Sequence, residues 1–126
     1  MTMTQSWQND DHTILLLTVM GKWSLEEYFE HYIKTIKMVE GESHPVVLLI
    51  DLLSSAAPPA KMLSTANFNR KHRTEHIVMT IMIGAHPFVK ALADVMARSI
   101  MRQAAVAFVN TRSDALQLAN KRLART

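Results

Sequence analysis

The 126-residue chain contains no cysteine, which excludes disulfides, thiolate metal sites and cysteine nucleophiles together. With only three glycines (Gly21, Gly41 and Gly84), it has no glycine-rich loop to cradle a phosphate. No apolar run is long enough to cross a membrane, so no membrane span is expected. The opening stretch Met1 to His12 is polar and includes Asp10 and Asp11; no export signal is expected there, and the expected location is the cytoplasm. A strong excess of either charge is missing as well, the net charge being a mild +3. The 14 basic residues are biased towards the second half, where Lys61, Arg70, Lys71, Arg73, Lys90, Arg98, Arg102, Arg112, Lys121, Arg122 and Arg125 lie. Scattered over several elements with few aromatics among them, they read as a solvated surface, and no nucleic-acid partner is expected.

What is present fits one compact domain over residues 1–126, since 48% hydrophobic residues supply enough material for a core. The organising stretch is Pro45-Val46-Val47-Leu48-Leu49-Ile50-Asp51, a short continuous apolar run bounded by a proline and a polar turn. Continuous hydrophobicity is what a parallel strand covered on both faces requires. Asp51 is then expected at the strand's carboxyl end, where open α/β sheets place ligands and partners.

In chain order, Ser6-Trp7-Gln8 reads as a short edge strand, Asn9-Asp10-Asp11 as a turn, and Thr13 to Met20 as the second strand of an antiparallel hairpin, with Trp7 packed on the sheet. Ser24-Leu25-Glu26-Glu27 is a capping box that starts a helix at Leu25. Leu25, Tyr28, Phe29, Tyr32, Ile33, Ile36 and Val39 recur at helical spacing, and Gly41 is expected to end the helix in a left-handed conformation. After the central strand, Ser54 to Pro59 reads as a loop, followed by a helix to about Arg73 whose Phe68 points away from the apolar stripe, towards a partner or a neighbouring loop. His76 to Gly84 is a second buried strand, Phe88 to about Met101 a helix, Ala105 to Val109 a strand, and Thr111-Arg112-Ser113-Asp114 caps a final helix carrying Ala115, Leu116, Ala119 and Leu123. The expected architecture is α/β: a single open mixed sheet of about five strands with an N-terminal hairpin and about four packed helices.

This layout resembles the SpoIIAA-like group, related to STAS domains and also described as STAS/SEC14-like. The matching features are Gly21-Lys22-Trp23-Ser24-Leu25-Glu26-Glu27 leading into the first helix, Val46 to Asp51 as a strand ending in aspartate, the strand and helix from Ile77 to Met101, and Ala105 to Val109 followed by Ser113-Asp114-Ala115-Leu116. The resemblance implies a non-catalytic regulatory or protein-interaction module that forms a homodimer. Anti-sigma antagonists carry an aspartate and a phosphorylatable serine where the helix after the central strand opens. Here Ser54-Ser55-Ala56-Ala57-Pro58-Pro59 departs from that signature, leaving Ser54 and Ser55 as candidate phosphorylation sites, weighed against an ordinary loop. The SEC14-like comparison offers an alternative: a carrier or sensor of a small apolar, lipid-like or anionic ligand. The nine methionines, Met38, Met62, Met79, Met82, Met96 and Met101 among them, suit either such a cavity or ordinary core filling.

Catalytic signals are weak. His72-Arg73-Thr74-Glu75-His76 matches an inverted zinc-protease string, but His76 directly precedes a β-type run, so the two histidines are not expected on one helix face. His86, in Gly84-Ala85-His86-Pro87 between strand and helix, suits an anion contact or a helix cap. No enzyme activity, metal or cofactor is expected. Asp51, Ser54, Ser55, Phe68, His86 and Asn110 are the candidates for ligand or partner contact, because all but Phe68 fall at strand ends.

Overall fold

The computed structural model of the chain describes residues 3–56, 75–84 and 105–125. Five strands form one sheet in the order β1-β2-β3-β4-β5: β1 (Met3–Trp7), β2 (Ile14–Gly21), β3 (Val46–Ser55), β4 (Ile77–Ile83) and β5 (Ala105–Val109). The β1–β2 pair is antiparallel and every other neighbouring pair is parallel, which makes the sheet mixed with an N-terminal hairpin. Two helices stand among the described residues, α1 (Leu25–Glu40) and α2 (Arg112–Leu123). The two further helices expected before Arg73 and after Phe88 lie outside the described residues, as do Phe68 and His86.

Strand β3 is the spine. Its residues Val46 to Asp51 are all buried, with alternate side chains feeding two separate clusters. Val46, Leu48, Ile50 and Leu52 join Leu15, Leu17 and Val19 of β2 beneath Tyr28, Tyr32, Ile36 and Val39 of α1. Val47 and Leu49 join Ile14, Leu16, Ile81 and Ile83 against Ala115 and Ala119 of α2. Two-sided burial explains why the run is continuously apolar rather than alternating. Small residues on α2 let that helix approach the sheet closely. The methionines fill gaps between these layers: Met38 and Met82 pack against the first cluster and Met79 against the second.

Local chemistry explains the element ends. Asn9 Oδ1 accepts from the amides of Thr13 and Ile14 at 3.0 and 3.3 Å, closing the hairpin turn. In the capping box, Ser24 Oγ accepts from the Glu27 amide at 3.1 Å and Glu27 Oε1 accepts from the Ser24 amide at 3.3 Å. Thr111 Oγ1 accepts from the Asp114 amide at 3.1 Å and starts α2.

Three expectations need correction. Gly41 ends α1 in a right-handed conformation (φ −71°), because its amide bonds back to Lys37 O and the Glu42 amide to Val39 O, tightening the last turn instead of reversing it. The edge strand begins three residues earlier than Ser6, since Met3, Thr4 and Gln5 pair with Val19, Thr18 and Leu17. Most consequentially, β3 does not end at Asp51. Pairing with β4 stops there, opposite Ile83, but β2 continues past an irregularity between Thr18 and Met20 and pairs Met20 with Ser54 and Gly21 with Ser55. Ser54 and Ser55 are therefore strand residues, not loop residues.

Candidate functional site

The parallel strands all point their carboxyl ends to one rim, and that rim gathers Met20 and Gly21 of β2, Asp51 to Ser55 of β3, Gly84, Asn110 and the start of α2. At its centre, Asp51 is 3% exposed. Its Oδ1 accepts from the Leu53 amide two residues on at 2.9 Å, and its Oδ2 accepts from Arg112 Nε at 2.5 Å. The first bond braces the backbone where the β2 register slips; the second ties β3 to the opening turn of α2, 61 residues along the chain. An arginine in the first turn of a helix opposes the helix dipole, and the Asp51 carboxylate offsets that. The two partners are unequally placed, for the Arg112 side chain is 54% exposed. Both carboxylate oxygens are thus spent on structure, and Asp51 lies beneath the rim rather than upon it.

The serines divide. Ser54 is exposed beside Met20. Ser55 Oγ accepts from the indole Nε1 of buried Trp23 at 2.8 Å and donates to Ala56 O at 2.8 Å, while the Ala56 amide bonds to Gly21 O at 2.9 Å. Its hydroxyl is a clasp holding the end of β3 to the β2–α1 connection. Asn110 is exposed immediately before the Thr111 cap. Around these stand two side chains that sequence reasoning passed over, Met20 and Leu53, which are 40% and 54% exposed although large and apolar. Leu53 leans over Gly84, whose φ of +64° and lack of a side chain leave it room; a Cβ there would lie 2.5 Å from Leu53 Cδ2. Nothing in the β3 apolar run distinguishes Leu53 from Leu52; the structure shows that Leu52 joins the cluster beneath α1 while Leu53 meets water. Arg112 was read as surface charge, and its one legible signal is its position beside the Thr111 cap, at the rim that a parallel sheet reserves for such groups.

Two further groups lie away from the rim centre. Tyr32, stacked on Tyr28 with ring centroids 5.8 Å apart, has its hydroxyl pushed up to about 12 by burial. At the opposite end of the sheet, His12 stacks on Trp7 with centroids 4.5 Å apart, and its Nδ1 lies 2.6 Å from Glu42 Oε1. This joins the hairpin turn to the end of α1.

The zinc-like string does not assemble among the described residues. His76 lies in a turn directly before β4, with its carbonyl accepting from the Val46 amide at 2.8 Å, and His72 falls outside the described residues. No group of three metal-ligating side chains occurs among the described residues. No helix among them is long and apolar enough to cross a membrane.

No family model matches the sequence, and no curated protein matches it. Among solved structures, the chain is similar to an uncharacterized protein of the DUF3478 family with a SpoIIAA-like fold from Shewanella loihica PV-4, with a TM-score of 0.66 and 18% sequence identity, over 93% of this chain and 91% of that one. The likeness spans both chains almost entirely, and it establishes the fold: this chain has the SpoIIAA-like architecture that the layout of its sequence resembled.

Proposed function

We propose that this chain is a non-catalytic regulatory or protein-interaction module of the SpoIIAA-like type, and that it meets its partner through the carboxyl rim of the sheet. The observation that carries this reading is the composition of that rim. Its one buried acid among the described residues has both oxygens engaged, while two large apolar side chains, Met20 and Leu53, stand in solvent beside Ser54 and Asn110. A general acid or base needs a lone pair or proton directed at a substrate, and Asp51 directs its own at Leu53 and Arg112. Exposed apolar side chains with polar groups beside them suit the centre and margin of a protein interface.

The test is affinity capture from the native host with the wild-type chain and with a Met20→Ser/Leu53→Ser variant of matched thermal stability. A stoichiometric protein retained by the first and lost by the second supports the reading. Equal retention by both removes the rim from consideration, and a co-purifying small molecule without a protein partner overturns the module reading itself.

A further inference from the structure

We propose that the edge of β1 which no other strand pairs among the described residues pairs antiparallel with β1 of a second copy of this chain, about a two-fold axis at Ser6, joining two sheets into one. The interface lies at the sheet's β1 edge, away from the apolar residues of the carboxyl rim, and stands whether or not the rim binds a partner.

The argument begins from one hydrogen bond. Gln8 N–H donates to Ile14 O at 2.8 Å, and Gln8 stands opposite Ile14 in the same register that sets Trp7 against Leu15. In an antiparallel ladder hydrogen-bonded and non-bonded pairs alternate, so Ser6 and Thr4 also turn their backbone groups towards β2. Met3, Gln5 and Trp7 therefore direct theirs outward, away from the sheet. Met3 is fully buried, which closes the edge at that point. Gln5 and Trp7 are half-buried, and the open edge is the run from Thr4 to Gln8.

Natural sheets protect such an edge with lysine, proline, a bulge or an inward charge. Residues Met3 to Gln8 read Met-Thr-Gln-Ser-Trp-Gln and contain neither a charge nor a proline, and the β1–β2 register is unbroken. Neutrality matters most for self-pairing, because in a two-fold arrangement each charge near the axis meets its own copy. An axis at Ser6 sets Gln5 against the partner's Trp7 and Trp7 against the partner's Gln5, satisfying all four outward donors and acceptors of the open run on each protomer without calling on Met3. It also sets Ser6 against its own copy, and Thr4 against the partner's Gln8. These three side chains are exposed, on the face of β1 away from α1; Gln8 Nε2 donates to Ser6 Oγ at 3.1 Å along the strand, an exposed bond that leaves both in reach of a second copy. On the other face Gln5 is already held by α1, its Nε2 donating to His31 O at 3.1 Å, which fixes the strand in the extended form that pairing needs.

The absence of cysteine gives the test its register. Ser6→Cys introduces the only thiol, and in a non-bonded antiparallel pair the two Cβ atoms stand about 4.5–5.5 Å apart, within reach of a disulfide after slight adjustment. The untagged full chain is expected to sediment as a dimer from low micromolar to submillimolar concentration. Under mild oxidation Ser6→Cys is expected to become covalently dimeric, whereas Thr4→Cys, whose counterpart is Gln8, is expected to stay unlinked. Ser6→Arg, which sets like charges face to face on an exposed position, is expected to weaken the dimer about tenfold with an unchanged circular dichroism spectrum. A monomer at every concentration overturns the proposal, and so does a wild-type dimer in which Ser6→Cys fails to cross-link.

Discussion

Breaking the Asp51–Arg112 pair from its two ends is predicted to give unequal losses, and the exposed partner matters more. In Arg112→Ala the carboxylate of Asp51 remains 3% exposed with only the Leu53 amide to hold it, so an almost uncompensated charge is left in the interior. Such a removal costs about 3 kcal/mol, the lower part of the range for buried pairs, because Arg112 itself is more than half in water and the attraction it supplied is partly screened. In Asp51→Asn the amide oxygen still accepts from Leu53, and the freed guanidinium turns out to solvent. That loss is about 1.5–2 kcal/mol, the lower part of the range for a charge-assisted hydrogen bond, because the Arg112 side chain is more than half in water. The double variant, with no interior charge left to strand, is predicted to cost about 2 kcal/mol, less than the sum of the singles by about 2.5–3 kcal/mol, which is the coupling the cycle shows. Equilibrium urea unfolding of the four proteins at neutral pH measures all three differences, and each kcal/mol corresponds to about 4 °C in Tm for a chain of this size. An Arg112→Ala variant more stable than Asp51→Asn, or a double variant at the sum of the singles, would refute the view that the buried carboxylate, not the arginine, is the group at risk.

The two glycines of positive φ should separate by surroundings. Gly21→Ala meets open space and is predicted to lose about 1 kcal/mol, whereas Gly84→Ala also collides with Leu53 and is predicted to lose about 2 kcal/mol, read as urea midpoints. Ser55→Ala leaves the Trp23 indole N–H without its acceptor and is predicted to destabilise by about 1–2 kcal/mol, with a red shift of tryptophan emission as the β3 end loosens; an unchanged midpoint would remove the clasp. Tyr32 has a folded pKa of about 12 against an ordinary 10.0, so the folded state keeps its proton where the unfolded chain releases it. Stability from this group is whole below pH ~10 and falls as pH rises from ~10 towards ~12, by up to ~1.4 kcal/mol per pH unit. Absorbance at the tyrosinate band should show a late component that Tyr32→Phe abolishes, and a titration of the wild type without it would contradict the burial of that hydroxyl.

The parts of the fold that could be read in advance are those where one local signal suffices. Ser24 with Glu27, Thr111 with Asp114, and the continuous run Val46 to Ile50 each encode their structure within a few residues, and each is realised. The candidate site was legible only in outline, because its decisive features arise between segments. Past the slip between Thr18 and Met20, β2 goes on pairing with β3 as far as Ser55, while β4 has stopped at Asp51, and no propensity within β3 reports what its neighbours do beside it. The Asp51–Arg112 pair likewise joins residues that only the strand order brings together. Gly41 marks the opposite error: glycine permits a left-handed terminus without requiring one, and here the bonds to Lys37 and Val39 favour continuing the turn.

The same register slip separates what holds the fold from what faces outward. Up to Ile50, β3 gives alternate side chains to the two clusters, so any change there disturbs one or both layers. Past the slip, β4 has ended and, among the described residues, only β2 flanks the strand; Leu53 lies over Gly84, and neither Leu53 nor Met20 belongs to either cluster. Substituting polar residues for these two removes little buried apolar area and is predicted to change stability by less than about 1 kcal/mol, far below the loss from truncating a leucine such as Leu48 or Leu49. A rim that can be altered without unfolding the sheet is one whose effect on binding can be measured cleanly. A large loss of stability in Met20→Ser/Leu53→Ser would mean that these side chains are part of the core, and the interaction surface would have to be sought elsewhere.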